Sequence, residues 1–227
     1  MKFKALVLIV LLTGLAACDK KDQAPAKTSL ESDEDQFSYG LGMVIGERVL
    51  KQYGDVDYDL LLQGIKAQHK DQETLISLEA AGEAINAQIE KVFAKQSAAN
   101  KERGQAYLKS NAEKEGVQVT ASGLQYSVIT EADGAKPKAT DEVSVHYRGT
   151  LIDGTEFDSS YSRGSPTSFV LNQVIPGWTE GLQLMTVGSK FQFVIPYELG
   201  YGERGAGGSI GPFETLVFEV ELLEIKP

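Results

Sequence analysis

The sequence predicts an α+β protein: an antiparallel β-sheet wrapped around one short helix, preceded by an all-α N-terminal arm and a long stalk helix. Apolar residues recur at helical spacing from Phe37 to Phe93, and helix-forming residues continue to Glu115. After Gly116 the apolar residues alternate with a period of two, as in half-buried strands. A length of 227 residues is typical of two domains.

Composition excludes several classes of protein. The formal net charge of −10 argues against a nucleic-acid partner, which requires a basic surface. One cysteine and two histidines allow neither a disulfide within the chain nor a Cys/His metal cluster, and no glycine-rich phosphate loop is present. We therefore expect no metal and no cofactor.

Residues 1–17 are predicted to be a signal peptide, with a basic start and a short apolar run before Leu15-Ala16-Ala17. Cys18 follows at the position at which the sequence resembles a bacterial lipobox, which implies a lipid anchor on Cys18 and a periplasm-facing place in the cell envelope. Asp19 after it slightly favours the inner over the outer membrane. The alternative is an ordinary signal peptide with an incidental Cys18, which would give a soluble periplasmic protein. Residues 18–35 are polar and aperiodic, and are predicted to be a disordered tether.

Residues 36–76 are predicted to form an N-terminal helical domain. One helix is expected over Gln36–Tyr53 and a second over Tyr58–Lys70, with Asp57 as its N-cap. Gly42 and Gly46 lie one turn apart in the first helix, where another helix can approach closely. That neighbour is either another helix of the same chain or a second copy.

Residues 77–116 are predicted to form one long connecting helix, capped by Ser77 and stopped by Gly116. The apolar stripe fades after Ala94, so we expect the second half to be a solvated stalk. The helical arm ahead of it is too small for a large core of its own, which makes a homodimer through the N-terminal helices the more economical interpretation.

Residues 117–227 are predicted to form the β-rich domain. Its single helix is expected over Gly177–Leu184, with Trp178, the only tryptophan, at its start. About five strands are indicated by alternating apolar residues, over 123–129, 143–148, 167–171, 191–195 and 216–225.

The stretch VSVHYRGTLIDGTEFDSS, residues 143–160, is predicted to be a hairpin. Gly149 is expected to end the first strand, and Asp153-Gly154 to form the turn, because glycine tolerates positive φ. The return places Phe157 and Asp158 near Tyr147. Such a corner of aromatics and an acid is either part of a binding pocket or an ordinary core edge beside a surface carboxylate.

Three ordered stretches resolve this choice by resemblance: VHYRGTLIDGTEFDSS, QVIPGWTEGLQLMTVGSKFQFVIPYELGYG and GPFETLVFEVELLEI. Together they resemble the FKBP-type peptidyl-prolyl cis-trans isomerase domain across residues 118–227. The helices and signal peptide ahead of them resemble the dimeric two-domain bacterial branch, typified by macrophage infectivity potentiator proteins. The resemblance implies an enzyme that isomerises X-Pro bonds in unfolded or partly folded envelope proteins, together with chaperone activity and possible inhibition by macrolides. The alternative is a non-catalytic dimeric chaperone or binding module that cradles unfolded clients.

The resemblance also implies roles for individual residues. Trp178 would form the floor of a proline pocket, Asp158 its rim carboxylate, and Tyr201 a phenol that hydrogen-bonds a carbonyl of the ligand. Ile210 would belong to a loop that closes over the pocket. The expected catalytic residues are Asp158, Tyr201, Phe157 and Trp178. The walls would be Tyr147, Phe157, Val174, Ile175 and Phe218.

Two positions qualify this assignment. Thr167 stands where some members of the family carry an exposed aromatic, which leaves Phe169 as a core residue. His146 alternates away from Tyr147 and is expected to be structural. Rotation about an amide breaks no covalent bond and needs no nucleophile, so Asp158 is expected to orient and polarise the amide without transferring a proton.

Overall fold

The computed structural model describes residues 28–226, which divide into two compact units: the first ends at Gln52 and the second begins at Tyr53. The predicted signal peptide, Cys18 and residues 19–27 of the predicted tether lie outside the described residues. Among the residues described, no helix is both long enough and apolar enough to cross a bilayer.

The first unit contains helix α1, Asp33–Arg48, and a 3₁₀ turn, Leu50–Gln52. The α1 helix starts inside the segment predicted as a tether, so the predicted end of the tether at residue 35 is wrong. The Ser32 side chain caps the helix by accepting a hydrogen bond from the Asp35 N–H at 3.1 Å. The acidic residues that suggested disorder lie in the first turn, where the helix dipole favours negative charge.

The second unit begins with α2, Tyr58–His69, and α3, Leu78–Ala112. Both predicted caps are confirmed, because Asp57 accepts hydrogen bonds from two N–H groups of α2 and Ser77 accepts one from Ala80. No residue of α2 is buried.

The second half of α3 is not the fully solvated stalk that the sequence suggested. Asn100, Gly104 and Asn111 are buried against the β-rich part of the same unit. Asn111 donates a hydrogen bond to the side chain of Gln125 at 2.9 Å, and Gln125 donates to the Leu108 carbonyl at 2.8 Å. The buried face consists of polar and small residues, which a search for apolar periodicity does not detect.

An antiparallel sheet of seven strands forms the body of the second unit. The strands follow one another in the order β1-β2-β6-β7-β3-β4, and β5 pairs with the first half of β3. Their bounds are β1 Gln118–Val119, β2 Gln125–Thr130, β3 Glu142–Leu151, β4 Glu156–Ser159, β5 Thr167–Val170, β6 Lys190–Ile195 and β7 Leu216–Lys226. The sequence predicted five of these as strands and treated β4 as the return of the hairpin, but missed the two-residue β1.

The pairing of β3 with β7 is the longest in the sheet and runs from Glu142↔Lys226 to Leu151↔Leu216. Gly149 does not end β3, as the sequence suggested, but pairs with Phe218 inside the strand. A glycine within a strand marks a place where other groups approach the backbone closely.

Helix α4, Pro176–Leu182, supplies the helical side of the core. Trp178 and Leu182 are buried in one cluster with inward-facing residues of the sheet, among them Val145, Phe193 and Leu222. The predicted fold class is therefore confirmed: a mixed helix and antiparallel-sheet domain with helices ahead of it.

Candidate active site

One open cavity of about 870 Å³ collects every predicted catalytic and substrate-binding residue, whereas Cys18, the predicted lipidation site, lies outside the described residues. It lies where the β3–β4 hairpin, the start of α4, the beginning of β7 and the loop before β7 meet. The predicted residues that line it are Tyr147, Phe157, Asp158, Val174, Ile175, Trp178, Tyr201, Ile210 and Phe218. Their presence in one cavity is a geometric finding, and their individual roles stay predictions.

Edge-to-face aromatic contacts hold the floor of the cavity in place. Trp178 is 5% exposed, and its ring centroid lies 5.1 Å from those of both Tyr147 and Phe218, with interplanar angles of 87° and 83°. Phe157 meets Phe218 at 5.5 Å and 83°. Rings in this arrangement attract one another through edge and face charges, so the apolar surface has a defined shape.

Gly149 allows two of these rings to reach the backbone of β3. A Cβ at this position would lie 2.7 Å from ring atoms of both Phe157 and Phe218. Any other residue would have to displace a wall of the cavity, which explains why the strand carries glycine here.

A hydrogen-bonded group of three side chains forms the polar rim. Tyr147 donates its hydroxyl proton to Asp158, and Arg163 forms an ion pair with the same carboxylate. Arg163 also donates to the Tyr147 oxygen at 2.8 Å and to Thr167 Oγ1 at 3.1 Å. The carboxylate is thereby fixed beside the apolar floor.

The same contacts determine protonation at the rim. Partial burial opposes ionisation of Asp158, but hydrogen bonds from Tyr147 and Arg163 outweigh it and hold the pKa of Asp158 below its usual range. Burial, with the hydrogen bond to Asp158, raises the pKa of Tyr147. Near neutral pH the acid is ionised and the phenol keeps its proton.

Hydrogen-bond donors at the edge of the cavity are available to a ligand, whereas the Trp178 Nε1 donor is buried and has no hydrogen-bond partner among residues 28–226. The Tyr201 hydroxyl has no hydrogen-bond partner among residues 28–226, and burial followed by the charge of Asp158 raises its pKa. The Ile175 N–H likewise donates to no acceptor in this part of the chain, whereas the Ile175 carbonyl caps α4 by accepting from Trp178 and Thr179. Donors at the edge of an apolar floor suit the carbonyl groups of a peptide.

The sequence missed several residues of the site. Phe169 is not only a core residue: it lines the cavity, and its ring centroid lies 5.1 Å from that of Trp178. The sequence does not identify Arg163, because a single arginine in a polar loop is usually solvated; in the structure it lies in the turn after β4 and bonds Asp158. Thr167, Gln173 and residues 206–209 complete the lining.

His146 lies away from the cavity, as the alternation of β3 predicted. Its Nδ1 is 3.0 Å from Ser160 Oγ, and its ring stacks on Tyr161 with centroids 4.7 Å apart. Residues 28–226 hold no group of three or more His, Cys, Asp or Glu side chains that could bind a metal ion.

Two family profiles match the chain. The profile described as FKBP-type peptidyl-prolyl cis-trans isomerase matches residues 133–223, and the profile described as the domain amino terminal to FKBP-type peptidyl-prolyl isomerase matches residues 34–128. Between them they cover the helical segments and the cavity.

Relatives match over most of their own length. The FKBP-type peptidyl-prolyl cis-trans isomerase FkpA of Aeromonas hydrophila is 46% identical over 224 residues, covering 93% of this chain and 83% of the relative. The outer membrane protein MIP of Legionella longbeachae is 39% identical over 229 residues, covering 98% of this chain and 95% of the relative. The crystal structure of FkpA from Escherichia coli matches with a TM-score of 0.66 and 39% identity, covering 88% of this chain and 99% of that one.

The hydrogen bonds of the polar rim should be measurable through the pKa of Asp158. Asp158 should titrate below the usual aspartate pKa of about 3.9, and Tyr147→Phe should raise its pKa because the variant removes a hydrogen bond to the ionised form. Carboxyl carbon shifts followed by NMR against pH give both values. A depressed pKa stabilises the folded protein at pH values above the pKa of Asp158 in the unfolded chain, and this stabilisation is lost as the pH falls through the pKa in the folded protein. Tyr147→Phe should therefore also weaken the loss of stability in acid.

Tyr161→Phe is the matched control, since its hydroxyl is 3.4 Å from Glu221 and away from the cavity. An Asp158 pKa that is unchanged in Tyr147→Phe would show that the phenol does not hold the carboxylate.

Proposed function

The chain belongs to the FKBP-type peptidyl-prolyl cis-trans isomerase family, and we propose that it isomerises X-Pro bonds of unfolded or partly folded envelope proteins in the cavity floored by Trp178. Enzymes of this family act on proline-containing polypeptides. The observation that carries the assignment of the site is the convergence on one cavity of the nine side chains that the sequence motifs indicate.

The chemistry follows from the physics of the amide. Rotation about an X-Pro bond interrupts amide resonance, and its barrier is about 18–20 kcal/mol. Water stabilises the planar amide, in which charge is separated, more than the twisted one. An apolar pocket therefore favours the twisted amide relative to the planar one, and each 1.4 kcal/mol of that preference accelerates rotation about tenfold.

An apolar floor and a set of polar groups would bind different parts of the substrate. We assign the proline ring to the surface formed by Trp178, Tyr147 and Phe218. The donors Ile175 N–H and the Tyr201 hydroxyl would bind carbonyl groups on one side of the bond and fix that half of the peptide while the other rotates. A macrolide with a ring and carbonyl groups in similar positions would compete for the same cavity.

Asp158 orients the substrate and supplies a negative charge, but it is not a proton donor. Its lowered pKa leaves it ionised near neutral pH, and both carboxylate oxygens already accept hydrogen bonds. The expected contribution is electrostatic, acting on the polarised amide beside it.

The enzyme assignment predicts losses at named positions. Trp178→Ala should reduce kcat/KM for a proline tetrapeptide by at least about tenfold, because the floor of the apolar pocket is lost. Asp158→Asn should reduce it less, since the apolar floor is retained and the variant removes only the charge and one of the two acceptor oxygens of the rim. A protease-coupled assay measures both.

Asp133→Asn provides the control, because Asp133 is an exposed acid outside the cavity. Wild-type activity in Trp178→Ala would contradict the assignment of the site to this cavity.

A second role is favoured by the helical segments. In α1 the side chains of Phe37, Tyr39 and Met43 are 61–72% exposed, and no residue of the helix is buried. In the second unit, Tyr58 and Leu60 of α2 are exposed as well. Apolar surface of this extent in water is usually covered by a partner. We propose that two copies associate through these helices and that the dimer also acts as a chaperone; a non-catalytic dimeric chaperone is the alternative function.

Deletion of residues 19–76 separates the two roles. The shortened protein retains α3, which packs on the β-rich part of its unit, and should keep its turnover of small peptides. It should be monomeric by light scattering and should suppress aggregation of an unfolded client less well. An unchanged mass and unchanged aggregation would overturn the proposal of dimerisation through the helices.

The place of the protein in the cell rests on residues outside the described range. We propose a lipid anchor on Cys18 that holds the enzyme to a membrane of the cell envelope, facing the periplasm. Asp19 favours the inner membrane, whereas one relative is named as an outer membrane protein. Cys18→Ser should move the protein from the membrane to the soluble fraction, and fractionation of the two membranes distinguishes them.

A further inference from the structure

Helix α3 contacts a short segment that lies between a loop of the cavity and β7. This segment, residues 211–215, is called the loop anchor here. It follows the pocket loop, residues 206–210, all of which line the cavity. The loop anchor continues into β7, which carries Phe218.

The contacts between α3 and the loop anchor are specific. Asn100 donates a hydrogen bond from Nδ2 to the carbonyl of Pro212 at 2.8 Å, and both residues are buried. Arg103 donates to Asn100 Oδ1 at 2.6 Å, which fixes the orientation of the amide. One helix turn further, a Cβ on Gly104 would lie 2.5 Å from Thr215 Oγ1, so the glycine allows the helix to approach closely.

Phe213, in the middle of the loop anchor, has a backbone conformation that its neighbours must maintain. Its φ is 56°, in the left-handed region that costs a bulky side chain conformational energy. The ring centroids of Tyr197 and Phe213 lie 4.8 Å apart, and the Phe213 N–H donates to the Gly202 carbonyl. The Lys101 Nζ of α3 lies 5.6 Å from the centroid of the Phe213 ring. A strained residue persists only while such contacts hold it.

The pocket loop is coupled to the loop anchor by its own geometry. Ala206 N–H donates to the Ile210 carbonyl at 3.1 Å, which closes the loop on itself. A Cβ on Gly205 would lie 2.3 Å from the carbonyl oxygens of Ile210 and Gly211, so the two ends of the loop are in close contact. A shift of the loop anchor would therefore carry Ile210 and its neighbours with it.

We propose that Asn100 is a positioning residue for the isomerase: through Pro212 it holds the pocket loop over the cavity, so that a helix of the N-terminal half sets the affinity for the X-Pro segment. This inference rests on the proposed function for its kinetic readout, but not for its structural one. Asn100 hydrogen-bonds Pro212 and Arg103, neither of which lines the cavity, and acts through the position of the loop. Asn100 lies in the segment matched by the N-terminal profile, residues 34–128, and outside residues 133–223, which the isomerase profile matches.

The test is Asn100→Asp in the full chain. The aspartate has the shape of asparagine but donates no hydrogen bond to Pro212, and it places a negative charge beside Arg103, whose guanidinium also lies 3.9 Å from the buried carboxylate of Glu214. KM for a proline tetrapeptide should rise about fivefold, the factor expected for one buried hydrogen bond, while kcat changes little. Asn86→Asp, the same substitution at an exposed site on α3, should match the wild type.

A second readout follows the loop itself. Trp178 is the only tryptophan of the chain and lies beneath the cavity, so its fluorescence reports the cavity alone. Acrylamide should quench Trp178 more strongly in Asn100→Asp than in Asn86→Asp, at a temperature where circular dichroism shows both to be folded. Equal quenching and equal KM in the two variants would overturn the proposal. A loss of kcat with unchanged quenching would also overturn it, because the loop would not have moved.

Lys101→Ala keeps the proposal testable if Asn100→Asp does not fold. Lys101 is exposed, and its removal takes away only the cation above Phe213. Quenching and KM should change in the same direction, KM by about twofold. Wild-type quenching and KM in this variant would then contradict the role of the loop anchor. Absence of isomerase activity in the wild type would instead refute the proposed function, and quenching would still decide whether α3 positions the loop.

Discussion

Gly149 lies on β3 opposite Phe218 of β7, and its lack of a side chain lets two aromatic rings rest against the sheet. The rest of the site depends on this contact. The register of β3 with β7 sets Phe218 beside Gly149, and Tyr147 two residues earlier on the same strand. The turn at Gly154 then returns Phe157 to the same spot from β4. A shift of one residue between these strands would turn the rings of the shifted strand to the opposite face, away from those of its partner.

The polar rim is built on the same frame, because Tyr147 and Asp158 lie on the paired strands β3 and β4. Arg163 and Tyr147 together keep the carboxylate ionised and oriented next to apolar surface. An ionised acid beside a dry floor suits a reaction in which charge within an amide is redistributed and no covalent bond changes. The donors at Ile175 and Tyr201 add the means to bind a peptide by its backbone, which is compatible with varied residues before the proline.

Much of this could be predicted from the sequence, for reasons that are local. Alternation of apolar residues identified the faces of β3 and β7, and Ser77 and Asp57 identified helix starts. The nine residues of the cavity came from ordered motifs that resemble a family. The features that the sequence does not reveal depend on tertiary contacts. Gly149 resembles the end of a strand in the sequence, because the rings that require a glycine there, Phe157 and Phe218, come from two other strands. The buried face of α3 was missed because Asn100, Gly104 and Asn111 are polar or small.

In the proposed function, an X-Pro bond rotates against the face of Trp178. The most direct measurement is NMR on the protein mixed with a proline peptide present in both isomers. Exchange cross peaks between the cis and trans signals report catalysis, and nuclear Overhauser effects report which protons of the protein lie near the proline ring. Because the chain has a single tryptophan, its indole signals are unambiguous. We expect accelerated exchange together with Overhauser effects from the proline ring to the Trp178 indole. Accelerated exchange with proline contacts only to residues outside the cavity would contradict this expectation.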